Sequence, residues 1–147
     1  PNCPVVYTEN YEFVIGKAIE LKSGSQVAII ANGSMVAPSI SAAEKLSEQG
    51  ISAGVFNCHT VKPFDTEMLV SINNTYDLIV TVEEHSVIGG VGSAVAELVS
   101  SLDAPKRVVR LGHPDQFGKT GEYEFLLQRY GLTSEGILTS IVAEVVK

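Results

Sequence analysis

The sequence has no cluster of lysine or arginine, no cysteine pairs at metal-binding spacing and no apolar run of the length that crosses a bilayer. Each absence removes a class of function. Ten Lys and Arg against seventeen Asp and Glu give a net charge of −7, a field that repels nucleic acid and anionic membrane surfaces. Two cysteines, Cys3 and Cys58, without a C-x-x-C pair, exclude a disulfide framework and a zinc finger, and indicate a reducing, intracellular setting. A span needs roughly 20 consecutive apolar residues and a secretory leader needs a basic segment before an apolar stretch. Neither is present, so the chain is expected to be soluble and cytoplasmic. No G-x-S-x-G elbow surrounds Ser34 or Ser86, which argues against a serine hydrolase.

What is present suits one buried core. The chain has 147 residues, 45% of them hydrophobic and 18% charged, and no long repeat or low-complexity tract. Residues 1–10 hold two prolines and read as an extended lead-in. Residues 11–21 offer two short extended pieces around Gly16, an edge-hairpin pattern, before a polar turn at Lys22-Ser23-Gly24-Ser25. Residues 26–31 form a continuous apolar run ending at Asn32-Gly33, the pattern of a strand covered on both faces.

Val36, Ile40, Ala43 and Leu46 then recur at helical spacing, with Gly50 placed to terminate the helix. A strand is expected over 51–58, then a turn at Lys62-Pro63-Phe64-Asp65 with Asp65 capping a short helix through Ile72. Another strand is expected over 76–82, a helix over 92–102, a strand over 107–111 and two closing helices. Strands alternating with helices predict a three-layer α/β/α sandwich around a mostly parallel, mixed sheet of about five strands.

The most informative segment follows the third buried strand. Val82 runs into Glu83-Glu84-His85-Ser86, then into Gly89-Gly90-Val91-Gly92 opening an amphipathic helix. A phosphate cradle needs bare N–H groups and positive potential at a helix start, whereas two carboxylates adjoin this one. Gly90-Val91-Gly92 begins a G-x-G-x-x-G pattern, but Val95 takes the third glycine position and six residues separate Val82 from Gly89. The turn therefore reads as a packing device in which glycine admits another backbone closely.

Ligands of open α/β sheets gather at the carboxyl ends of strands. Those ends read Asn32-Gly33, Asn57-Cys58-His59, Glu83-Glu84-His85 and Gly112-His113. His59, His85 and His113 with Glu84 pose a metal or acid/base site, but they come from separate loops without local ligand spacing, and are read as polar loop or contact residues. Cys58 beside His59 is read as a buried thiol, because neighbouring strand residues point to opposite faces. Glu83 and Glu84 pose a general acid/base pair, and are read as a solvated corner or as acceptors for a partner's donors. No complete active site assembles.

Several segments together resemble the C-terminal domain of transketolase and its thiamine-diphosphate relatives, among them deoxyxylulose-phosphate synthase and the β subunits of 2-oxo acid dehydrogenases. They are Phe13-Val14-Ile15-Gly16-Lys17-Ala18, Val27-Ala28-Ile29-Ile30-Ala31-Asn32-Gly33-Ser34, Val61-Lys62-Pro63-Phe64-Asp65, Val82-Glu83-Glu84-His85-Ser86 with Gly89-Gly90-Val91-Gly92-Ser93, and Gly118-Lys119-Thr120-Gly121.

The resemblance implies an assembly domain over residues 11–147, after a linker (1–10) leaving a pyrimidine-binding domain. It implies no catalytic, cofactor or metal residue in this chain, since the family's G-D-G followed by Asn is missing. Thiamine diphosphate and magnesium are then expected in the whole enzyme, a homodimer transferring a two-carbon ketol unit between sugar phosphates, with the isolated chain inactive. The contact surface is expected at Glu83, Glu84, His85, Gly89, Gly90 and Gly92. The partners are the enzyme's remaining domains or subunit; the alternatives are a related superfamily member or a free-standing metabolite-binding module.

Overall fold

A computed structural model describes residues 3–7 and 10–146. Residues 1, 2, 8 and 9 of the expected linker, and residue 147, lie outside the described residues. The framework is a five-stranded sheet: β1 (Ile19–Lys22), β2 (Val27–Ala31), β3 (Ala53–Asn57), β4 (Leu78–Ser86) and β5 (Arg107–His113). Their spatial order is β1-β3-β2-β4-β5, with β1 antiparallel to β3 and every other pairing parallel. The expected mixed, mostly parallel sheet is the one observed.

Helices connect the parallel strands as short crossovers require. The α1 helix (Val36–Glu48) enters through a 3-10 turn at Gly33–Met35, and α2 (Thr66–Thr75) and α3 (Val91–Ser100) follow β3 and β4. The α4 (Tyr123–Arg129) and α5 (Ser134–Val145) helices close the chain. Asp65 caps α2 by accepting a hydrogen bond from the Met68 amide at 3.1 Å, as its position before the helix predicts. Gly50 ends the first crossover with φ +79°, a conformation costly for any residue bearing a Cβ.

Strand alternation divides the core. Val27, Ile29 and Ala31 of β2 and Leu78, Val80 and Val82 of β4 join α1 and α5 in one layer; Ala28, Ile30 and Ile79 join α2 and α3 in the other. All five residues of β2 are buried, which is why this segment reads as an unbroken apolar run rather than an alternating one. Ile29, Ile30 and Ile79 are fully enclosed, and truncating one of them to alanine costs about 2–5 kcal/mol.

Two expectations are corrected. Residues 11–21 hold one strand and no hairpin. The 14–17 turn, closed by the Lys17 amide donating to the Val14 carbonyl at 3.1 Å, leaves the Phe13 ring tilted against His59 with centroids 4.3 Å apart instead of paired in the sheet. The strand expected to stop at Val82 continues through Glu83, Glu84 and His85 to Ser86, where it pairs with His113 of β5. Three polar residues look like a corner in sequence, but here they are strand residues whose side chains alternate between layers.

Candidate functional site

The extension of β4 fixes the two carboxylates. Because Ile79 and Thr81 face α3, strand period places Glu83 on that face and Glu84 on the other. Glu83 is 1% exposed. Its Oε2 accepts from the Val91 amide and its Oε1 from the Gly92 amide, each at 2.9 Å. These are N–H groups that a helix start leaves without intrahelical partners, and a carboxylate there also meets the positive end of the helix dipole.

A Cβ on Gly90 would lie 1.8 Å from Glu83 Oε2, and one on Gly92 would lie 2.6 Å from Thr81 Oγ1. The glycines thus admit side chains from the neighbouring strand, where sequence suggested another backbone. The position a phosphate would take at this helix start is filled by the chain's own anion.

Glu84 points the other way. The Ser34 hydroxyl and the Tyr123 hydroxyl both donate to its Oε2, the latter at 2.8 Å. It ties the end of β4 to the entry of α1 and the start of α4. Burial first, then the bond to Glu84, raises the Tyr123 hydroxyl above its ordinary pKa. The acid/base pair posed in sequence is thus divided between two layers.

The 87–90 turn between β4 and α3 is internally bonded. Val87 donates its amide to the His113 carbonyl at 2.9 Å, Ile88 donates to Ser86 Oγ at 3.1 Å and Gly89 donates to Ser93 Oγ at 2.9 Å. Ser93 Oγ in turn donates to the Val87 carbonyl at 3.2 Å, and Arg110 Nη1 donates to the same carbonyl at 2.9 Å. Gly89 has φ +81°, which glycine adopts freely. This frame lifts Ile88 into solvent at 57% exposure.

The three histidines stay apart. His59 holds Thr60 Oγ1 at 2.9 Å beneath Phe13; His85 is exposed with Nδ1 on the Ser86 carbonyl at 2.9 Å; the His113 ring lies tilted against Tyr130 with centroids 3.8 Å apart. Among the described residues no group of three or more His, Cys, Asp or Glu side chains could hold a metal ion. The Cys58 thiol is buried, donates to the Thr60 carbonyl at 3.4 Å and is pushed up to about 12 by burial and then by Asp65. It is a poor nucleophile at neutral pH. Ser34 and Ser86 are committed to Glu84 and to the Ile88 amide.

The carboxyl edge also receives residues 3–7. Asn57 Nδ2 donates to the Tyr7 hydroxyl at 2.7 Å, Val6 packs on the core, and Cys3 and Pro4 line a cleft of about 430 Å³ with Ser34 and Tyr123. Exposed apolar side chains gather around the same edge: Phe13 and Ile15 before β1, Ile88 after β4 and Phe117 after β5. Among the described residues no helix is long and apolar enough to cross a membrane.

Comparison with known proteins places these features in a family. Residues 16–137 match the family model for the transketolase C-terminal domain. The chain is 44% identical over 130 residues to 1-deoxy-D-xylulose-5-phosphate synthase of Caldanaerobacter subterraneus, covering 88% of this chain and 21% of that protein. It is 45% identical over 131 residues to a 6-deoxy-6-sulfo-D-fructose transketolase subunit of a Clostridium species, covering 89% of this chain and 40% of that one.

A solved split-gene transketolase, an inactive beta4 tetramer, superimposes with a TM-score of 0.86 at 40% identity over 96% of this chain and 45% of that one. The chain thus spans less than half the length of each of these relatives.

Proposed function

This chain belongs to the family of transketolase C-terminal domains, and from that premise we propose that it is the assembly domain of a larger enzyme that transfers a two-carbon ketol unit between sugar phosphates. Residues 11–147 form that domain and residues 1–10 its lead-in. The whole enzyme is a homodimer in which thiamine diphosphate and magnesium belong to the remaining domains or subunit. The observation that carries the reading is the Glu83 carboxylate seated on the Val91 and Gly92 amides. It removes the one helix start beside the glycine turn from anion binding and converts the turn into a shaped surface.

The residues here do not fit the cofactor. Glu83 would repel a diphosphate at α3, and among the described residues no cluster of ligating side chains gathers for magnesium. No chemical step is therefore assigned to this chain. What its residues can do is present contacts: Glu84 and His85 offer polar groups on the outer end of β4, and Gly89 shapes the turn beside them. Glu83, Gly90 and Gly92 support that surface from within.

A ketol-transfer assay with thiamine diphosphate and magnesium tests the reading. This chain alone should be inactive and the whole enzyme active; turnover by the chain alone would overturn it. The identity to 1-deoxy-D-xylulose-5-phosphate synthase favours a second reading of the whole enzyme, as such a synthase. Product analysis separates the two, because a synthase yields 1-deoxy-D-xylulose 5-phosphate and a transketolase yields a chain-extended ketose phosphate.

A further inference from the structure

An exposed apolar side chain is ordinary on a protein surface. Ile88 differs in how it is held. Each amide from Val87 to Gly89 has an acceptor, the Val87 carbonyl receives both Ser93 Oγ and Arg110 Nη1, and the helix that follows is seated on a buried carboxylate. The backbone order that binding would otherwise have to impose on this turn is present in advance, and preorganisation of this kind raises affinity by lowering the entropy lost on association.

We infer that Ile88 is the apolar anchor by which this chain docks onto the preceding part of its own enzyme, and that Arg110 is the positioning residue that holds the anchor's turn. The inference rests on the assembly reading and deepens it by naming the anchor. The occupant follows from length and entry point. More than half of the split-gene relative lies outside the match, the family is that of a C-terminal domain, and residues 3–7 run along the carboxyl edge from which the turn projects. The complementary site is an apolar pocket without acidic residues at its rim, because the chain as a whole carries −7 and a like charge there would oppose the contact.

The test uses hydrogen–deuterium exchange on the whole enzyme and on this chain alone, following peptides across 86–91, together with sedimentation velocity of the whole enzyme. In the whole enzyme the turn should exchange at least ~10-fold more slowly than in the chain alone, the order expected of a buried contact. Ile88→Glu should abolish that difference and weaken the contact by at least ~30-fold, as loss of an anchor does. Val70→Glu, at a comparably exposed apolar site on α2 (42% against 57%), should leave it intact.

Arg110→Met should raise exchange of the turn in the chain alone and weaken docking, and Arg110→Lys, which keeps a donor for the Val87 carbonyl, should restore most of the protection. Equal exchange of 86–91 in both settings would overturn the anchor; if residues 13–15 gained protection nonetheless, the assembly reading would stand. No gain anywhere on the carboxyl edge would overturn both.

Discussion

Two segments leave the sheet at its carboxyl edge and each carries an apolar side chain into water, yet they are built on opposite principles. The 87–90 turn is bonded at every residue to β4, β5 or α3 and presents Ile88 at 57% exposure. The 114–122 loop presents Phe117 at 100% exposure, with the Gln116 amide on the Pro114 carbonyl at 2.8 Å and the Lys119 amide on the Tyr130 hydroxyl at 3.1 Å.

The larger exposed area belongs to the less constrained segment. Area removed from water measures the gain on contact, while the constraint measures the ordering already done. By that measure the smaller side chain makes the better anchor.

The contrast can be broken most severely from beneath the turn. Glu83→Ala should destabilise the chain by about 3 kcal/mol, since it removes two hydrogen bonds to a charged acceptor and leaves two helix N–H groups enclosed without partners. Gly90→Val should cost at least as much, because its Cβ would fall 1.8 Å from Glu83 Oε2. Urea denaturation of the isolated chain reads both. Loss below about 1 kcal/mol for either would mean that the carboxylate does not hold the turn.

A milder comparison uses one glycine from each segment. Gly89→Ala should cost about 1 kcal/mol, because φ is +81° there and a Cβ strains that conformation. Gly118→Ala should change stability by less than about 0.5 kcal/mol, since its Cβ would meet His113 Cε1 at an ordinary 3.5 Å. Equal losses would erase the proposed difference in constraint.

The loop's distal attachment is titratable. The Tyr123 hydroxyl, raised by burial and by its bond to Glu84, contributes stability fully present below the unfolded tyrosine value of about 10. That contribution is lost as pH rises through the higher folded value. Tyr123→Phe should flatten that alkaline decline, which thermal unfolding between pH 8 and 11 measures. The smallest effect concerns thiols near the same edge. At pH 8 one thiol per native chain, the exposed Cys3, should react rapidly with a maleimide; Cys58, held up to about 12 and buried, should react only after denaturation.

Much of this architecture was legible in the residues. The unbroken run of β2, the Asp65 cap and the glycine that ends α1 each follow from local rules, and their alternation led to the sheet. The end of β4 did not. Three consecutive polar residues satisfy no burial pattern, and the partner that makes Glu83 a strand residue lies eight and nine positions downstream, on amides without a sequence signature.

The rule used to separate Cys58 from His59 would also have separated Glu83 from Glu84, had the strand been carried far enough. The hairpin expected over 11–21 failed for a related reason, because Phe13 finds His59, a contact no local period records. The contact made by Arg110 was equally hidden, since an arginine in an edge strand carries no mark of the carbonyl it will meet.

The sheet's outer strands bear on what happens when copies of the chain are crowded together. On one side β1 is only four residues long, shifts register between Glu20 and Lys22, and carries charge at both positions. On the other, β5 places Arg107 and Arg110 along its length and runs into Pro114. A short, irregular border on one side and a charged border that ends at a proline on the other are poor templates for strand addition. The docking surface proposed above is thereby framed by margins that resist fibrous growth, so self-association along the sheet borders is discouraged.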